Sequence, residues 1–151
     1  MRRIAFRYVF VLLVLLLGCG EEPQNTASFR LIDVSTGWDG GSYLSPTINF
    51  TIENTGSVKI STIGLSFTFR TGGSDSRISG SDADRFYRNI PVGESRGLYT
   101  VMSSRGYTSS EWPVALQILQ SNRSRPPTVE VRARVNGGAE FTYDTFDIYI
   151  P

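Results

Sequence analysis

The sequence predicts an all-β domain, an antiparallel sandwich of about seven or eight short strands, and three observations carry that expectation. From Phe29 onward, short segments of alternating apolar and polar residues are broken by glycine, proline, asparagine and serine. No stretch of eleven or more residues holds a helical repeat of apolar positions. No internal repeat of propeller or solenoid period is present, so the strands must bury their apolar faces against one another in two layers.

The firmest strand is 47–53, where Ile48, Phe50 and Ile52 alternate with Asn49, Thr51 and Glu53, giving one buried and one solvated face. Asn54-Thr55-Gly56-Ser57 ends it with turn residues. The next run places Ile63, Leu65, Phe67 and Phe69 inward; Val58 and Ile60 have the opposite parity, which predicts a bulge near Ser61 or Thr62. Further strands are expected at 29–35, 96–103, 113–120, 128–135 and 140–150, with an eighth around 86–90. The last two form a hairpin across Asn136-Gly137-Gly138. A three-residue loop there sets Ala133 against Phe141, Arg134 against Glu140 and Val131 against Tyr143, with a bulge near Asp144 or Thr145 restoring Phe146, Ile148 and Ile150 to the core side.

The N-terminus is of another kind. Arg2, Arg3 and Arg7 precede an apolar run from Tyr8 to Leu17, which is too short to span a bilayer. It ends in Leu16-Leu17-Gly18-Cys19, and Cys19 is the one cysteine of the chain. These four residues resemble the lipobox of bacterial lipoproteins. The resemblance implies that a signal helix, residues 1–18, is removed and that Cys19 receives a diacylglycerol thioether and then an N-acyl chain. With more than one chain, such an anchor holds nearly permanently. Gly20, rather than aspartate, follows the cysteine, and in the enteric sorting pattern this implies the outer membrane. Residues 19–27 then form the acylated cysteine and a polar tether, and 28–151 the folded domain.

Removing the signal leaves 133 residues, enough for one domain with a sizeable core. Arg2, Arg3 and Arg7 leave with it, so twelve basic residues face fourteen acidic ones and the net charge falls near −2. That balance argues against a nucleic-acid partner.

A count of seven or so strands in about 125 residues suits an immunoglobulin-like sandwich. The stretch 46–103 is similar to the immunoglobulin-like modules of bacterial envelope proteins, the group that includes the CARDB and FxLYD types. Ile48-Asn-Phe-Thr-Ile-Glu-Asn-Thr-Gly56 and Ile63-Gly-Leu-Ser-Phe-Thr-Phe69 carry the likeness, with the proline-glycine-acid loop Pro91-Val92-Gly93-Glu94 introducing a later strand. No functional residue comes with it, and the long segment 71–88 departs from the pattern.

The chain has no histidine and, once Cys19 is acylated, no free thiol. His-dependent and Cys-dependent nucleophiles and the common zinc sites are therefore excluded. The expected domain is not an enzyme and needs no cofactor or metal. Lys59 with Ser57 or Ser61 reads as an exposed strand rather than a dyad, and no motif selects a glycosidase pair among Glu53, Glu94 and Glu111. Asp75, Asp82 and Asp84 sit among glycines and serines without the spacing of a calcium loop. Arg123, Arg125, Arg132 and Arg134 form one basic cluster, countered by Glu130, Glu140 and Asp144. The candidate ligand-binding residues are Trp38, Tyr43, Tyr107 and Trp112, large rings in polar loops, which could build a glycan surface or could close the end of the core. The sequence thus points to a lipid-anchored envelope protein whose domain binds or assembles with another envelope protein, with carbohydrate binding as the alternative.

Overall fold

The computed structural model describes residues 27–71, 78 and 81–151; the lipobox-like segment and the tether through Thr26 lie outside them. Eight strands and one helix follow in the order β1 (Phe29–Asp39), β2 (Tyr43–Asn54), β3 (Ile60–Arg70), β4 (Ser81–Ile90), β5 (Ser95–Met102), β6 (Tyr107–Thr108), α1 (Trp112–Ser121), β7 (Thr128–Val135) and β8 (Phe141–Asp147). All pairings are antiparallel. One sheet runs β1-β2-β5, with β6 pairing the start of β2; the other runs β4-β3-β7-β8.

This is an immunoglobulin-like sandwich. β1, β2 and β5 take the places of strands A, B and E, and β3, β7 and β8 those of C, F and G. β4 crosses to the edge of the second sheet, beside β3, where a constant-type domain would return its fourth strand to the first. The core lies between the inner faces. Ile48, Phe50 and Ile52 of β2 meet Ile63, Leu65, Phe67 and Phe69 of β3 and Val129, Val131 and Ala133 of β7, all buried. Phe50 and Phe67 stack across the interface with centroids 5.5 Å apart.

The turns that set the register are readable in atoms. Asn54 is buried; its side chain donates to the carbonyls of Val58 (3.0 Å) and Ile90 (2.9 Å) and accepts from the Gly56 amide (2.9 Å), so it ties β2, the following loop and β4 together. The Pro91–Glu94 turn closes with the Glu94 amide on the Pro91 carbonyl and Gly93 at φ 72°. At the last hairpin the tight turn is Asn136-Gly137, both at positive φ, with the Gly138 amide on the Val135 carbonyl at 2.9 Å. Ala133 does face Phe141, but the bulge falls at Tyr143, one residue earlier than expected, so Val131 faces Asp144.

Two other expectations need correction. β3 has no bulge at Ser61 or Thr62: its register with β4 is constant from Ile60↔Ile90 to Phe69↔Ser81. The expected change of face is there without a register shift: Ile60 and Ile63 are both buried, the Ser61 and Thr62 amides between them both donate to the Asn136 side chain, and on β4 Asn89 at φ 58° accompanies the inward turn of Ile90. The segment 113–120 is helix, not strand. Thr108 and Glu111 form a reciprocal box before it: the Glu111 carboxylate accepts from the Thr108 amide and hydroxyl, both at 2.9 Å, while the Glu111 amide donates to the Thr108 carbonyl at 3.0 Å. Pro113 then sits in the first turn, where its missing N–H costs nothing. Ala115 and Leu119 are the buried residues, and Val114 and Ile118, whose alternation suggested a strand, face outward.

β1 and β8 lie side by side at the seam of the sandwich, joined by side chains. The Thr36 hydroxyl donates to the Asp147 carbonyl (2.8 Å) and accepts from the Tyr149 amide (3.0 Å). The Tyr143 hydroxyl accepts from the Leu31 amide at 2.8 Å.

Candidate functional site

Three of the four loop aromatics come together. Trp38, at the end of β1, lies 4.9 Å from Trp112 at the start of α1 and 5.9 Å from Tyr107 of β6, and Tyr107 lies 6.1 Å from Trp112. The Trp38 indole donates to the Tyr149 carbonyl at 3.0 Å. Tyr107 is 1 % exposed, and both tryptophans pack on the core. Their faces are taken up with one another, so they close this end of the sandwich. Tyr43 is different: its ring is 45 % exposed, and its hydroxyl accepts from the Gly106 amide at 3.0 Å.

A second feature lies on the outer face of β4-β3-β7-β8. Gly64 of β3 is opposite Phe86 of β4 and Arg134 of β7. Because Gly64 has no side chain, the Phe86 ring lies down over its backbone, 3.0 Å from where a Cβ would be. The ring remains 71 % exposed. Around it is a hollow of about 200 Å³ lined by Ser66, Asp84, Arg134 and Glu140. Glu140 is held by Arg132 at 2.9 Å, while among the described residues Arg134 has no ion pair. The arrangement sets an exposed aromatic ring beside an arginine without an ion-pair partner among the described residues, with two carboxylates at its margin.

The remaining candidates separate. Glu53 pairs with Arg30, and Glu130 with Arg70 at 3.5 Å, so these carboxylates are engaged on the outer faces of different sheets. Lys59 is exposed. Arg123 and Arg125 lie in the connection between α1 and β7, and Arg132 and Arg134 on β7 itself. Cys19 lies outside the described residues, as does most of the aspartate-rich stretch, including Asp75. Among the described residues no three His, Cys, Asp or Glu side chains converge as a metal site, and no helix is long and apolar enough to cross a membrane.

The Phe86 hollow escaped the sequence reading, yet a signal for it exists. Gly64 interrupts the outward positions of an otherwise regular strand, and a strand glycine marks a place where another group comes close. The sequence matches no protein-family model, and no curated protein is significantly similar to it.

Proposed function

We propose that this protein is a lipid-anchored component of a bacterial cell envelope whose immunoglobulin-like domain is a non-catalytic module for binding or assembly with another envelope protein. Leu16-Leu17-Gly18-Cys19 supports the address, with the outer membrane as the favoured location. The observation that carries the binding role is Phe86, a large ring held open to solvent over Gly64 at the middle of a sheet face. Aromatic side chains and arginine are enriched in the buried centres of protein interfaces. The alternative, carbohydrate binding through Trp38, Tyr43, Tyr107 and Trp112, has less support because three of those rings are occupied with the core and with each other.

Crosslinking in intact cells, with identification of the proteins recovered, tests the binding role. Phe86→Ala should lower recovery of the partner about tenfold or more, the scale of losing a central aromatic anchor, while changing stability by no more than about 0.5 kcal/mol because the ring is on the surface. Unchanged recovery removes this face from the proposal, and quenching of tryptophan fluorescence by envelope polysaccharide would favour the glycan reading. For the anchor, Cys19→Ala should abolish acyl labelling and leave an unprocessed precursor. Normal processing of that variant would mean an ordinary secretory cleavage.

A further inference from the structure

β1 and β8 are joined by the side chains of Thr36 and Tyr143, and beside Tyr143, at the end where β1 begins, the seam is open. There Ala27, Ser28, Phe29, Val135, Phe141 and Tyr143 line a groove of about 430 Å³, within the roughly 300–1,000 Å³ of small-molecule sites. Its walls are rings: Phe29 stacks on Tyr143 at 4.9 Å and meets Phe141 at 6.5 Å, and Phe141 is 46 % exposed. The side-chain hydroxyls of the walls are already engaged. The Tyr143 hydroxyl accepts from Leu31, the Ser28 hydroxyl pairs with Thr55 at 3.2 Å, and the Ser28 carbonyl accepts from the amides of Thr55 and Gly56. The groove therefore offers its ligand hydrocarbon contact and little else, which suits an alkyl chain and not a sugar or a phosphate.

We propose that this groove binds an acyl chain carried by the protein's own Cys19. The inference rests on the lipoprotein reading above. Two facts select that occupant. The groove begins at Ala27, eight residues after Cys19, and eight residues reach at most about 26–29 Å, so the tether allows the lipid attachment point to come to the groove mouth. The intervening Gly20-Glu21-Glu22-Pro23-Gln24-Asn25-Thr26 has no large apolar side chain able to fill the groove, so the nearest covalently attached hydrocarbon is the acyl group itself. Housed there, one chain is sheltered from water whenever the protein is off the bilayer. It leaves for the membrane when the lipid phase can bury the whole chain.

The test uses the full mature protein, purified in unlabelled detergent from cells fed ¹³C-labelled palmitate, with intact-mass analysis of the N-terminus. Carbon-edited nuclear Overhauser contacts should run from the labelled chain to the ring protons of Phe29, Phe141 and Tyr143. Ala139→Trp, at an exposed turn residue of the groove wall, should fill the groove and remove those contacts with the thermal midpoint unchanged. An acylated Cys19 whose chain shows no contact with these rings overturns the groove proposal and leaves the anchor standing, as does contact of the rings with detergent chains alone. Contacts that persist in Ala139→Trp show that the chain touches these rings without occupying the groove, and overturn it too. An unmodified Cys19 overturns both the anchor and the occupant.

Discussion

Tyr87 shows how one side chain links packing to pH. It projects inward from β4, 4.2 Å from the Tyr99 ring and edge-on to Phe50 at 6.1 Å. Burial pushes its phenol up to about 12, Tyr99 adds to the rise, and Arg85 opposes it. Below about pH 10 the phenol is protonated in both folded and unfolded chains, so its packing contributes in full. Between about 10 and 12 the unfolded chain releases the proton that the folded chain still holds, and stability falls as pH rises. Thermal unfolding measured from pH 9 to 12 should show a steeper decline for the natural protein than for Tyr87→Phe. Parallel curves would mean that the phenol ionises as freely in the fold as outside it.

Among the elements, β6 and α1 replace a plain crossover between β5 and β7, and Gly106 sets how closely they sit. A Cβ at Gly106 would lie 2.1 Å from the Leu44 carbonyl oxygen and 2.6 Å from the Ser45 hydroxyl, so β2 itself forbids a side chain there. Gly106→Ala should destabilise by at least the roughly 1–3 kcal/mol of an overpacked core, read as a lower midpoint in denaturant unfolding. An unchanged midpoint would show that this connection yields without cost. The same region marks the limit of what the sequence makes legible. Strands 47–53, 63–69 and 128–135 are visible because one face is uniformly apolar, and the Asn54 and Gly93 turns because their chemistry is local. α1 is not, since Val114, Leu116 and Ile118 alternate like a strand and no charge marks an outer face. The Thr108–Glu111 box and Pro113 were the legible helix signals, and they outweigh the alternation. The seam groove was not legible, because Phe29 and Tyr143 are 114 residues apart in sequence and meet only through the sandwich.

At the scale of the molecule, the buried side chains form one continuous cluster from Leu31 to Ile148, reaching both sheets and the inner face of α1. Unfolding should therefore be a single event. Tryptophan fluorescence, which reports only the end holding Trp38 and Trp112, should give the same transition as far-ultraviolet circular dichroism, which reports the strands. An earlier fluorescence transition would make the aromatic lid a separately melting unit. Which sheet receives β4 was beyond local pattern, since an amphipathic edge strand satisfies either layer and only the path of the chain decides. β1 itself has a further consequence. Its eleven residues, at most about 36 Å if fully extended, run from Phe29 beside the 54–59, 91–94 and 136–138 turns to Asp39 beside α1, where the Gln120 side chain also donates to the Pro151 carbonyl. β1 therefore sets the chain's entry at residue 27 and the uncharged helix, with Val114 and Ile118 exposed, at opposite ends of the same strand, so that what touches one end has no contact with the other.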